Sequence, residues 1–300
     1  MPANPVLTDE RFHLDDPTRA GWGAPGAPTA PPPGAPTMPP PGAPTEGVPA
    51  YVGPEDRVKP MTLAGTLTAT GVLFALILAA GAFGWGQVDQ TSRWVLGNQV
   101  VPEGTPGAVL QNTTSLPGWM FLAVLVGVGF AFLGILKPKL ARFAAPLYAI
   151  AYGIVLGAIS AVYNNSYDGI VVQAVLATMG VFLVMLFLYA TRIVKVTPRF
   201  ALVVIAATGG IFLMYLVGAL ASLFGADIRF WDEPSPLGIG ISLVIVVVAA
   251  LNLALDFDFI ERAVKAKAPA YMEWTAALGV TVTIVWLYLE LLRLLALLRR

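Results

Sequence analysis

The sequence predicts an all-α membrane protein, a seven-transmembrane-helix bundle with a disordered N-terminal tail, and three observations carry that prediction. Of its 300 residues 57% are hydrophobic and 12% charged, about half the charge density of an ordinary soluble domain. The charges gather in short clusters between apolar blocks, each near the ~20 residues that cross a bilayer as a helix. Most of the prolines, by contrast, lie in residues 1–60.

That first stretch repeats the string GAPT at 26–29, 34–37 and 42–45. It holds too little apolar surface to offset the entropy of ordering it, so residues 1–60 are expected to be a disordered, locally polyproline-like domain ahead of a membrane domain over 61–300. It lacks the basic start, apolar core and small-residue cleavage site of a secretory signal, which puts the tail on the cytoplasmic side. A solvated spacer and a Pro-rich docking ligand are its two readings.

Apolar segments follow at 62–85, 118–136, 143–163, 169–190, 200–224, 237–256 and 271–297. Backbone groups in lipid must be satisfied within the segment, and these runs are too long for barrel strands, so each reads as a helix. Trp85, Trp94, Trp119 and Trp231 fall at or just outside segment ends, where interfacial aromatics collect. Lys137, Lys139 and Arg142 mark one loop, Arg192, Lys195 and Arg199 a second, and Arg262, Lys265 and Lys267 a third. The positive-inside rule makes these loops cytoplasmic and the C-terminus external, against the weaker vote of Arg299 and Arg300. The expected location is the plasma membrane.

Composition also excludes. Net charge is zero, so there is no electrostatic footprint for nucleic acid. There are no cysteines, and the one histidine, His13, is in the tail, which removes thiolate and imidazole chemistry from the membrane region. The protein is expected not to be an enzyme and to hold no cofactor.

Charged residues inside spans are functional candidates by default. The sixth segment ends in LNLALDFDFIERAV, setting Asp256 and Asp258 at or near its cytoplasmic end. Gly238, Ser242, Ile245, Ala249, Asn252 and Asp256 form one stripe, whose small and polar character faces it toward the bundle. Asp258 lies about 200° round the helix from Asp256. On the last segment Glu273, Ala276, Gly279, Thr283 and Glu290 share a side. A hairpin turning near Lys267 to Pro269 sets Asp256 level with roughly positions 278–282, close to Thr283, while Glu290 lies about two turns deeper. Glu290 is expected to pair with Arg293 one turn on or to snorkel toward the outer interface. Ala149, Gly153, Gly157 and Ala161 recur every four residues as a close-packing face. Asn112 and Asn164 stand in glycosylation sequons, which have meaning only in a secretory pathway.

The third segment, APLYAIAYGIVLGAISAVY (145–163), resembles the signature helix of the Bax inhibitor-1 family, the transmembrane Bax-inhibitor-motif proteins. The resemblance, in its actinobacterial form, continues through GIVVQAVLATMGVFLVMLFLYATR (169–192), VTPRFALVVIAATGGI (196–211) and WLYLELLRLL (286–295), and covers about residues 61–300. It implies a bundle with the last helix central. In some bacterial members it further implies a proton-sensitive calcium leak governed by two aspartates on the last two helices. The first matches Asp256; the second falls on Glu290 by one alignment of the last segment and on Thr283 by the other. Tyr152 stands where many relatives carry glutamate.

Three functions compete. The first is a calcium-permeable leak, with Asp256 as a weak, transient calcium ligand or gate, Asn252 and Asp258 as accessories, and Thr283 or Glu290 opposite. The second is a non-conducting regulator that binds other membrane proteins. The third, an intramembrane aspartyl protease, needs two facing aspartates, and Asp168 in Tyr167-Asp168 has no GxGD partner.

Overall fold

The computed structural model describes residues 59–96, 99–107, 109–115, 117–225, 231 and 233–299. The expected disorder of the tail and His13 lie outside the described residues. Among the described residues seven helices follow one another: α1 (Leu63–Trp85), α2 (Met120–Leu136), α3 (Ala141–Ser166), α4 (Ile170–Ala190), α5 (Pro198–Leu223), α6 (Pro236–Lys265) and α7 (Met272–Arg299). Six are long and apolar enough to span a bilayer; α2 has 17 residues, about 25 Å of rise. The seven-helix membrane fold expected from the sequence is what the chain adopts.

Local chemistry sets several boundaries. Thr62, Thr197 and Ser235 cap α1, α5 and α6, each side chain accepting a backbone N–H three residues on, and Pro198 and Pro236 occupy the first helical turn. A capping hydroxyl followed by proline is a strong start signal, because the proline lacks only an N–H that would have been unpaired. The sixth segment was expected to end at 256, yet α6 continues to Lys265. Its last turns are polar, and a hydropathy boundary marks where lipid-compatible sequence ends, which need not be where the helix ends.

The last helix is the centre of the bundle. α7 packs against α1, α2, α3, α4 and α6, and Leu278, Leu287 and Leu292 on it are fully buried. α1 and α3 meet closely, as the four-residue spacing on α3 predicts. A Cβ on Gly157 would stand 1.9 Å from the Gly81 carbonyl oxygen, and one on Gly84 would stand 2.0 Å from that of Ile154. α5 is the outlying element: it packs chiefly on α6 and buries little besides Val204.

Two features were not anticipated. Between α1 and α2 the chain forms a three-stranded antiparallel sheet, β1 (Asp89–Leu96), β2 (Gln99–Val100) and β3 (Val109–Ser115), in the order β2-β1-β3 with Asp89 opposite Ser115 and Val95 opposite Val109. Trp231, expected at the lipid interface, is instead buried, with its ring in the space that Gly218 leaves open.

The residues just before α1 contact the turn between α6 and α7. Pro60 bridges Pro269, Met61 N–H donates to Ala268 O at 2.6 Å and Ala270 N–H to Lys59 O at 2.8 Å. The start of α1 is thereby stitched to the α6–α7 turn.

The contact between α1 and α3 yields a prediction. Gly157→Ala should lower stability by about 1–3 kcal/mol, the usual cost of overpacking, read as a lower thermal midpoint in detergent. Gly129→Ala, whose Cβ would meet nothing within 4 Å, should leave the midpoint unchanged or slightly raised.

Candidate functional site

The predicted stripe on α6 faces inward. Gly238, Ser242, Ile245 and Ala249 are buried, and Asn252 and Asp256 continue the line half-buried. Asp256 lies nine residues before Lys265, the last residue of α6, so its carboxyl is about 13 Å inside the helix end along the axis. The sequence sets Asp256 at or near the cytoplasmic end of this segment, and the helix runs on for nine residues past it.

Opposite Asp256 stands α7. Asp256 Oδ1 comes within 3.3 Å of the point a Cβ on Gly279 would occupy, so the glycine gives the carboxyl its place against the central helix. One turn on, the buried Thr283 hydroxyl faces the same carboxyl and lies 3.1 Å from Gly279 O, to which it donates. A hydroxyl has one proton to give, so it cannot serve both acceptors at once. Asp256 Oδ2 is buried and has no hydrogen-bond partner among the described residues.

The other candidates are distributed around this point. Asn252 Nδ2 donates to Thr208 Oγ1 and to Val248 O, both at 2.8 Å, tying α6 to α5. Beyond Asn252, α5 and α6 diverge around an apolar groove of about 610 Å³ lined by residues including Gly210, Met214, Gly240 and Val244. Asp258 is on the other face, in an ion pair at 2.7 Å with Arg262 one turn on, and does not join Asp256. Glu290 does not meet Asp256 either. It pairs with Arg293 at 3.3 Å, as expected, and accepts from the Tyr215 hydroxyl. The carboxylate pair that the resemblance implies is therefore not assembled; Asp256 faces Thr283.

Sequence reasoning missed two participants, Tyr215 and Glu261, and the partner of a third, Glu273. Tyr215 of α5 reaches both Glu290 and Arg293, and Trp231 covers its ring edge-on at 5.9 Å between centroids. Nothing in the spacing along α5 marks Tyr215, since its partners are 75 and 78 residues away. Glu261 collects Arg192 at 2.7 Å, Lys265 and the Tyr189 hydroxyl; only the four-residue step to Lys265 was visible in the sequence. Glu273 accepts from Thr62 N–H at 2.8 Å and Thr62 Oγ1 at 2.9 Å. Its carboxylate fills the space beside Gly65 at the N-terminus of α1, where the helix dipole favours negative charge.

Among the described residues no group of three or more Asp, Glu, His or Cys is arranged to hold a metal ion. A tight calcium site takes six to eight oxygens. The Asp256 region supplies one carboxyl and the Thr283 hydroxyl, far short of that number.

The buried pair on α7 yields a second prediction. Removing one member of a buried ion pair leaves the other without its partner, at a cost of about 3–5 kcal/mol. Glu290→Gln and Arg293→Met singly should each destabilise more than half as much as both together, so a double-mutant cycle in detergent should show positive coupling. Additive effects would mean that the pair is not energetically linked.

The comparisons with known proteins fit this architecture. No solved structure matches the chain. The family model described as Bax inhibitor 1 like matches residues 4–300, reaching into the N-terminal stretch that the sequence resemblance, begun at 61, had left out. By that match over nearly its whole length, on a bundle of apolar spans arranged around the last helix, the chain belongs to the Bax inhibitor 1 like family and is a multi-pass integral membrane protein.

Proposed function

We propose that this protein is a cation leak, permeable to calcium, in which Asp256 is the ionic group that a passing ion meets. The observation that carries the reading is the Asp256 carboxyl itself. It lies within a membrane helix, against Gly279 and Thr283, with one oxygen buried and without a partner among the described residues. Ionisable groups at such depth are expensive, and those retained there mark ion or proton pathways. Conduction favours a site that binds weakly enough to release, which suits a carboxyl with a few neutral oxygens. Asn252 is its neighbour on α6, whereas Asp258 and Glu290 are structural, each committed to an arginine. No reaction on a substrate and no cofactor enters this reading. The tail and the three basic loops are cytoplasmic, in the plasma membrane, with protons competing for the same carboxyl.

A second reading, a non-conducting regulator that binds other membrane proteins, is favoured by the stitch between residues 59–61 and the α6–α7 turn. A partner held by the tail would pull directly on the hairpin that carries Asp256. Pull-down of membrane partners by the full chain, and loss of those partners on deleting residues 1–58, would support that reading over the first.

The leak reading predicts that the purified protein in liposomes releases calcium down its gradient. Asp256→Asn should reduce the flux to that of empty liposomes, while Asp258→Asn should leave most of it. A calcium flux unaffected by Asp256→Asn removes Asp256 from the pathway.

A further inference from the structure

We infer that the Asp256 site prefers singly charged alkali cations, Na⁺ or K⁺, to calcium. The inference rests on the reading of Asp256 as the ionic group of a leak and concerns which ion that group serves best.

The argument is a count of charges and oxygens. Around Asp256, α7 contributes Gly279 and Thr283, both uncharged. On α6 the nearest polar residue is Asn252, whose amide nitrogen is committed to Thr208 and Val248 O, leaving its oxygen as an acceptor one turn away. Every other carboxylate described on these two helices has a basic or backbone partner elsewhere. Asp258 holds Arg262, Glu261 holds Arg192 and Lys265, Glu290 holds Arg293, and Glu273 caps α1. One carboxyl, and so at most one negative charge, is left at this level of the bundle.

One carboxylate neutralises one alkali cation. A divalent ion at the same place retains a full positive charge inside a low-dielectric bundle, where uncompensated charge is costly. Calcium also seeks six to eight oxygens and usually several carboxylates among them. Alkali ions are held by neutral carbonyl and hydroxyl dipoles, the kind of group that the Thr283 hydroxyl oxygen offers. Calcium then passes as a minority ion.

The test compares Na⁺, K⁺, Ca²⁺ and H⁺ fluxes through the purified full-length protein in liposomes, at matched gradients and with ion-specific dyes. The expected result is a Na⁺ or K⁺ flux several-fold above that of Ca²⁺, with both abolished by Asp256→Asn. Thr283→Asp sets a second carboxylate opposite Asp256 and should shift the ratio several-fold toward Ca²⁺, whereas Thr283→Asn should not. Calcium flux equal to or above the alkali flux in the unmodified protein overturns the inference and leaves the leak reading standing. Proton flux without alkali flux also overturns it. Absence of every flux overturns both. The ratio in the unmodified protein decides the matter even where Thr283→Asp fails to fold.

Discussion

The bundle depends on the burial of one helix by its neighbours. Lipid gives apolar side chains no reason to leave it, so helices in a membrane are held by close packing and by a few polar contacts. α7 is packed against α1, α2, α3, α4 and α6, and its leucines at 278, 287 and 292 have no exposure to lipid. Because α7 is shared, each position along it serves several interfaces. Gly279 illustrates the constraint: on a peripheral helix its missing side chain would matter little, but here it makes the room that a carboxyl from α6 occupies.

Polar groups within the bundle divide into two kinds. Most are committed: Ser160 to Tyr288 at 2.7 Å, Asn252 to Thr208, and Glu290 to Arg293 and Tyr215. Two of them reach α5, which buries little of its own: Thr208 meets α6 and the Tyr215 hydroxyl meets α7. Asp256 is of the second kind, since its Oδ2 is buried without a partner among the described residues and its facing hydroxyl is shared with a backbone carbonyl. The difference between a strut and a site lies in that remaining acceptor capacity.

The spans, the inward face of α6, the close contact of α3 and the pairing of Glu290 with Arg293 were legible because each follows from a period along one helix. So was the level of Asp256 against Gly279 and Thr283, which needs only a hairpin and a rise per residue. What was not legible joins distant segments. Tyr215 gains its role from a helix 75 residues away, and Glu273 from one 211 residues away. The small sheet between α1 and α2 was missed because its strands alternate weakly and lie among residues read only as a connection. The length of α6 was missed because hydropathy reports solvent, and helix continuation through LDFDFIERAVK is a matter of propensity.

The stitch at the start of α1 bears on how the molecule comes into being. Thr62 and Glu273 are 211 residues apart, and at ordinary translation rates of about 5–20 residues per second the carboxylate arrives some 10–40 s after the threonine. Throughout that interval the first span sits in the bilayer with neither Glu273 on its first turn nor the central helix along its flank. Among the seven helices α1 is thus the first to be inserted and among the last to be locked.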